Sequence, residues 1–102
     1  MKDAKKVKFK ALKVGDVIGF FFREIPEAQT PEPWIGTICR LYQKETLNIR
    51  TGRWTYKGVA EVLWSETGKV LNVTQDDWEP TKDSARQYTG FYMRVSKTEP
   101  QA

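Results

Sequence analysis

Val59-Ala60-Glu61-Val62-Leu63-Trp64, Ser65-Glu66-Thr67-Gly68 and Lys69-Val70-Leu71-Asn72-Val73-Thr74 follow one another in this chain. Two runs rich in β-branched and aromatic residues flank a turn that ends in glycine, which takes positive φ without steric cost. That pattern is a β-hairpin signal. A four-residue loop opposes Trp64 to Lys69, Val62 to Leu71, Ala60 to Val73 and Glu61 to Asn72. Apolar pairs then share one face and the polar pair takes the other. A three-residue loop starting at Glu66 would oppose Glu61 to Val73 and Val62 to Asn72, against the two-residue side-chain period. The first register also puts Leu63 and Val70 on the outer face with Glu61, which predicts that another segment or a partner covers that face.

The rest of the chain reads as further strands. Val14-Gly15-Asp16 is a turn into a strand at Val17–Phe22. Arg23 to Pro33 holds Pro26, Pro31 and Pro33 with Glu24, Glu27 and Glu32, a composition that cannot form a ladder and predicts a long surface loop. The next strand runs from Trp34 to about Lys44, with Gly36 a natural bulge site. Leu47–Arg50 reads as a short strand, Thr51-Gly52 as a turn, and Arg53–Lys57 as renewed extended structure. After the hairpin, Gln75-Asp76-Asp77 reads as a turn and Trp78 as an anchor, with one helical turn expected within Thr81–Gln87. Tyr88–Val95 is the last strand.

At 102 residues the chain fits one domain with one core. No apolar run approaches the roughly 18 residues of a membrane span, and the lysine-rich start lacks a signal-peptide core. The expected location is cytoplasmic, or inside a larger particle. The net charge of +4 is unevenly spread. Six lysines less Asp3 give +5 over residues 1–13, so the remaining 11 basic and 12 acidic residues carry −1. A basic N-terminal arm (1–13) therefore precedes a nearly neutral domain (14–96) and a polar tail (97–102). Within the arm, Val7, Phe9 and Ala11 alternate with Lys6, Lys8 and Lys10, as in an extended segment laying one apolar side on a surface.

Chemistry-bearing residues are few. The single Cys39 cannot form an internal disulfide, and its apolar surroundings predict burial. With no histidine there is no plausible zinc site, no activating base for a thiol, and no catalytic triad. Adjacent Asp76 and Asp77 point apart in extended chain and read as a turn cap before Trp78. No glycine-rich phosphate loop is present. The expectation is a protein that is not an enzyme, with no metal, no cofactor, no membrane partner and no small-molecule substrate.

Val14-Gly15-Asp16-Val17, Trp34-Ile35-Gly36-Thr37-Ile38, Val62-Leu63-Trp64, Gly68-Lys69 and Asp76-Asp77-Trp78 together resemble an SH3-like barrel of the Tudor or KOW sort. The chain is similar to small proteins of this type encoded by tailed bacteriophages, over roughly residues 12–80. The resemblance implies an all-β barrel of five or six antiparallel strands. The lysine arm, the Arg50–Lys57 segment and the aromatic last strand depart from it.

Two binding functions follow as expectations. In the first, a protein–protein interaction or assembly module, structural or accessory to a phage virion, docks on a protein partner or on itself through Trp34, Pro31, Pro33, Leu63 and Val70. In the alternative, nucleic acid is bound by Lys5, Lys6, Lys8 and Lys10 of the arm with Arg50, Arg53, Trp54, Tyr56 and Lys57. Cations there supply phosphate contacts and aromatic faces stack on unpaired bases. Trp54 and Tyr56 share one strand face while Arg53, Thr55 and Lys57 share the other, so stacking together with phosphate contact needs the strand to twist or to sit at an edge. Trp34, Trp64, Trp78, Phe20, Phe22, Tyr42 and Tyr88 supply the rings for an aromatic cage or a groove for proline-rich peptide, but read mainly as core, with Trp34 expected to stay partly exposed.

Overall fold

The computed structural model describes residues 4–23, 31–81 and 90–96. The strands are β1 (Val17–Phe22), β2 (Trp34–Asn48), β3 (Arg53–Trp64), β4 (Val70–Thr74) and β5 (Gly90–Ser96). They form one antiparallel sheet in the order β4-β3-β2-β1-β5. A 3-10 turn (Phe9–Ala11) precedes β1, and the four-residue helix α1 (Gln75–Trp78) follows β4. The expectation of an all-β fold of five or six antiparallel strands holds, with five among the described residues. The sheet wraps around its core, and α1 packs on β3, β4 and β5, but no ladder joins β4 to β5 among the described residues.

The diagnostic hairpin has the register its side-chain pattern demands. Ala60 pairs with Val73, Glu61 with Asn72, Val62 with Leu71 and Leu63 with Val70. The loop closes through Trp64 N–H to the Lys69 carbonyl, with Gly68 at φ 66°. Its tip is tied to β2, because Ser65 N–H donates to the Ile35 carbonyl and Glu66 accepts from Ile35 N–H.

The core lies on the inner face of the sheet: Ile18, Ile38, Ala60, Val62, Trp64 and Val73 from the strands, Trp78 from α1, and Phe9 and Leu12 from the arm. Gly36 belongs to this packing and is not the bulge. A Cβ there would lie 2.5 Å from Val62 Cγ1, so the small residue admits Val62 and Trp64. The bulge is at Cys39 instead, where Ile38 pairs with Val62 and Arg40 with Glu61. Residues 39 and 40 therefore both face outward, and Cys39 is exposed, contrary to the expected burial.

Val7 and Phe9 face the body as the alternation predicts, but the 3-10 turn then breaks it, leaving Ala11 exposed and burying Leu12. Lys5 makes a two-way backbone bridge to Arg94 on β5. Trp78 Nε1 donates to the Val7 carbonyl. The 3-10 turn then carries Phe9 and Leu12 into the core.

Residues 47–50 are not a separate strand. β2 continues through Leu47 to Asn48, turns over at residues 49–52, and returns as β3. The turn before Trp78 is α1, started by a reciprocal capping box between Thr74 and Asp77. Trp78 is fully buried, the anchor expected. The expected helical turn, most of the proline loop, Tyr88 and the polar tail lie outside the described residues.

Candidate binding surfaces

Two surfaces emerge at opposite ends of β2 and β3. The first is a groove of about 320 Å³ at the Trp34–Trp64 end, lined by Phe20, Phe22, Trp34, Trp64, Leu71 and Tyr92 among others. The aromatic residues lock one another in place. Phe20 lies 5.1 Å from Phe22 and 4.8 Å from Tyr92, and Trp64 lies 6.3 Å from both Trp34 and Tyr92, centroid to centroid. Such edge and tilted contacts stabilise a cluster beyond its buried area. Leu71 sits on the core face of its strand yet remains 47% exposed, because it forms the rim of this groove.

Beside the groove, Trp34 and Pro33 are half-buried and Pro31 is exposed. On the other face of the hairpin, the paired Leu63 and Val70 are both exposed, so no described segment covers them. The structure therefore does not bring these residues together: Trp34 lies in the groove on the inner side of the sheet, Leu63 and Val70 lie on its outer side, and the two prolines precede Trp34 in the chain. Tyr42 is not part of the groove; it lies on the outer face beneath Arg40, 4.6 Å from ring centroid to guanidinium.

The second surface is the β2–β3 ribbon. Beyond the Gln43–Gly58 pair, five more pairs run from Lys44–Lys57 to Asn48–Arg53, a projection of about 17 Å. β1 pairs with β2 only at residues 34–37, and β4 with β3 only at 59–63, so among the described residues no strand pairs with either edge of the ribbon. Trp54, Tyr56 and Leu47 continue the face that elsewhere forms the core, and they are 61%, 66% and 48% exposed. The core stops short of them at Gly58, where the Phe9 ring fills the place of a side chain. Lys10 lines a hollow at the ribbon's base with Phe9, Gln43 and Gly58.

The cations of the two segments are not equivalent. Lys5, Lys8, Lys10, Arg50 and Arg53 are exposed. Lys57 is ion-paired with Asp76. Lys6 is exposed as well, yet its ammonium folds back onto the body, 4.6 Å from the Trp78 ring centroid and donating to the carbonyls of Trp78 and Tyr92. Burial pushes its pKa below the ordinary lysine value, an effect the Glu79 carboxylate opposes.

Asp77 serves as the α1 cap and Asp76 faces Lys57, so the two neighbouring carboxylates act separately. Among the described residues, no three metal-ligating side chains come together, and no helix is long and apolar enough to cross a membrane. Sequence reasoning missed Leu71 as a groove residue and Tyr92 as a groove wall. The alternation of β4 put Leu71 inward and could not show that the inward space there opens to solvent. Comparison with known proteins finds no matching family model, no matching curated protein and no matching solved structure.

Proposed function

We propose that this chain is a non-enzymatic interaction module that docks on a protein partner, accepting an extended segment of it along the outer edge of β4. The observation that carries this reading is the state of that edge. Val70–Thr74 contains neither charge nor proline, it is the terminal strand of the sheet, and its outward side has no strand partner among the described residues. Exposed edges present a row of unpaired N–H and C=O groups, which sheet proteins ordinarily blunt with lysine, proline or bulges. The β5 edge differs, since the backbone of Lys5 pairs with Arg94 there.

A strand added to β4 gains main-chain hydrogen bonds, and its alternate side chains enter the aromatic groove. The remaining side chains flank Leu63 and Val70. The partner segment is therefore extended, with an aliphatic or aromatic residue at every second position, and a second copy of this chain is one such source. The resemblance to SH3-like barrels of tailed phages supports an accessory or assembly role, in the cytoplasm or within a virus particle.

The test compares wild type with Val70→Lys and Leu71→Lys, both at exposed positions, by sedimentation of the purified chain for self-association and by quantitative co-purification of tagged protein from its native host. The variants keep the fold and lose association tenfold or more. Lysine variants that associate like wild type, or a wild type that stays monomeric and unassociated, sink the reading.

A further inference from the structure

We propose that the inner face of the β2–β3 ribbon is a platform for single-stranded nucleic acid, with bases stacking on Trp54 and Tyr56 and phosphates held by Arg50, Arg53 and Lys10. The two rings are not core residues. Both are mostly exposed, both lie on one face with Leu47, and nothing in the core reaches past Gly58 to meet them. A solvent-facing tryptophan and tyrosine one strand repeat apart form a surface on which any base can lie flat.

The charge around the rings selects the ligand. Residues 44–57 hold Lys44, Arg50, Arg53 and Lys57 against the single Glu45, a net +3 on a ribbon. Asp76 answers Lys57 alone. Arg50 and Arg53 sit at the ribbon's tip and Lys10 at its base, so cations bracket the aromatic face along its length. A protein partner would account for the apolar face but not for this bracketing.

Trp54 and Tyr56 face one way and Arg53 the other, which in a wide sheet would separate stacking from phosphate contact. Here the ribbon is two strands wide with no further strand paired to either edge among the described residues, so an arginine at its tip is not walled off from the aromatic face by a neighbouring strand. Unpaired bases are required because stacking reads a base face that a duplex keeps hidden. The ribbon lies at the far end of β2 and β3 from the β4 groove, so this site stands or falls independently of the protein-docking site.

The test uses the full chain and fluorescently labelled oligo-dT and oligo-rU of about 20 nucleotides, read by anisotropy across a salt series. Wild type binds single strands more tightly than a duplex of equal length. Trp54→Ala with Tyr56→Ala weakens binding about tenfold or more at every salt concentration, and leaves the salt slope unchanged. Arg50→Gln with Arg53→Gln lowers the slope of log K against log salt by about 1.4. All four positions are exposed, and circular dichroism verifies the folds. The proposal is overturned by no binding at low salt, by variants that bind like wild type, or by preference for duplex. Binding of anionic lipid vesicles with no single-strand binding, or loss of self-association in the aromatic variant, would equally overturn it by assigning the face to another ligand.

Discussion

The ring of Phe9 occupies the space that a side chain at position 58 would need, so that a Cβ on Gly58 would collide with Phe9 Cε1. This one contact joins the arm to the point where β3 leaves the core for the ribbon. Gly58→Ala is expected to cost about 1–3 kcal/mol by overpacking, and Phe9→Ala about 3–5 kcal/mol by leaving a cavity. With Phe9 already truncated, the added methyl has room. The two costs are therefore expected to fall short of additivity by about 1 kcal/mol or more in urea titrations of the two single variants and the double variant. Additive costs would show that Phe9 does not seat on Gly58.

The arm is basic in composition and structural in action. Deleting residues 1–13 removes Phe9 and Leu12 from the core, together with the Lys5–Arg94 bridge and the Val7 acceptor for Trp78. Two buried side chains of this size are worth several kcal/mol, comparable with the whole stability of a small domain. The truncated chain is expected to lose its cooperative thermal transition. Lys8→Gln with Lys10→Gln, at exposed positions, should leave the transition within a few degrees of wild type. A truncated chain that melts like the full one would show that the arm is dispensable.

Cys39 lies at the bulge and is exposed. One thiol per chain should react with a disulfide reagent under native conditions, at a rate close to that in denaturant. Protection by orders of magnitude that urea relieves would return Cys39 to the interior.

Lys6 gives the fold a pH dependence of definite sign. Its folded-state pKa lies below the ordinary 10.5, chiefly because it is desolvated. At pH values below the lowered pKa both folded and unfolded chains hold the proton, and the burial cost is present in full. Between that value and 10.5 the unfolded chain binds the proton more fully, so the stability contributed at this site rises with pH. Lys6→Met keeps the stem without the charge. The stability of wild type relative to Lys6→Met should therefore improve as pH rises toward 10.5, in urea midpoints taken from neutral pH upward. A flat or declining difference would contradict the assignment.

The features legible in the sequence were those that burial enforces. Val62 and Leu71 could be paired on paper because one face of the hairpin is core, and a slip of one residue would have turned Val62 outward. Val17–Phe22 and the Trp78 anchor were readable for the same reason. The ribbon was not. At Glu45 and Thr46 no core imposes alternation, so β2 seemed to end where it in fact leaves the body. Cys39 escaped because a bulge adds a residue to the two-residue period, which composition cannot reveal. The groove depends on ring positions from four strands, and Trp34, Trp64 and Tyr92 carry no mark in sequence of meeting there.

The bridge between Lys5 and Arg94 bears on how the chain reaches its fold. Other ties of the arm also span long stretches of chain, with Val7 bonded to Trp78 and Lys6 to Tyr92. The bridge and the Lys6–Tyr92 bond must wait until β5 has left the ribosome, and closing such large loops slows the search for native structure. The β2–β3–β4 meander, whose pairings are local, can form first. The ties to β5 then close last, and a nascent chain halted before β5 would hold a formed meander with Phe9 and Leu12 not yet locked by the bridge to β5.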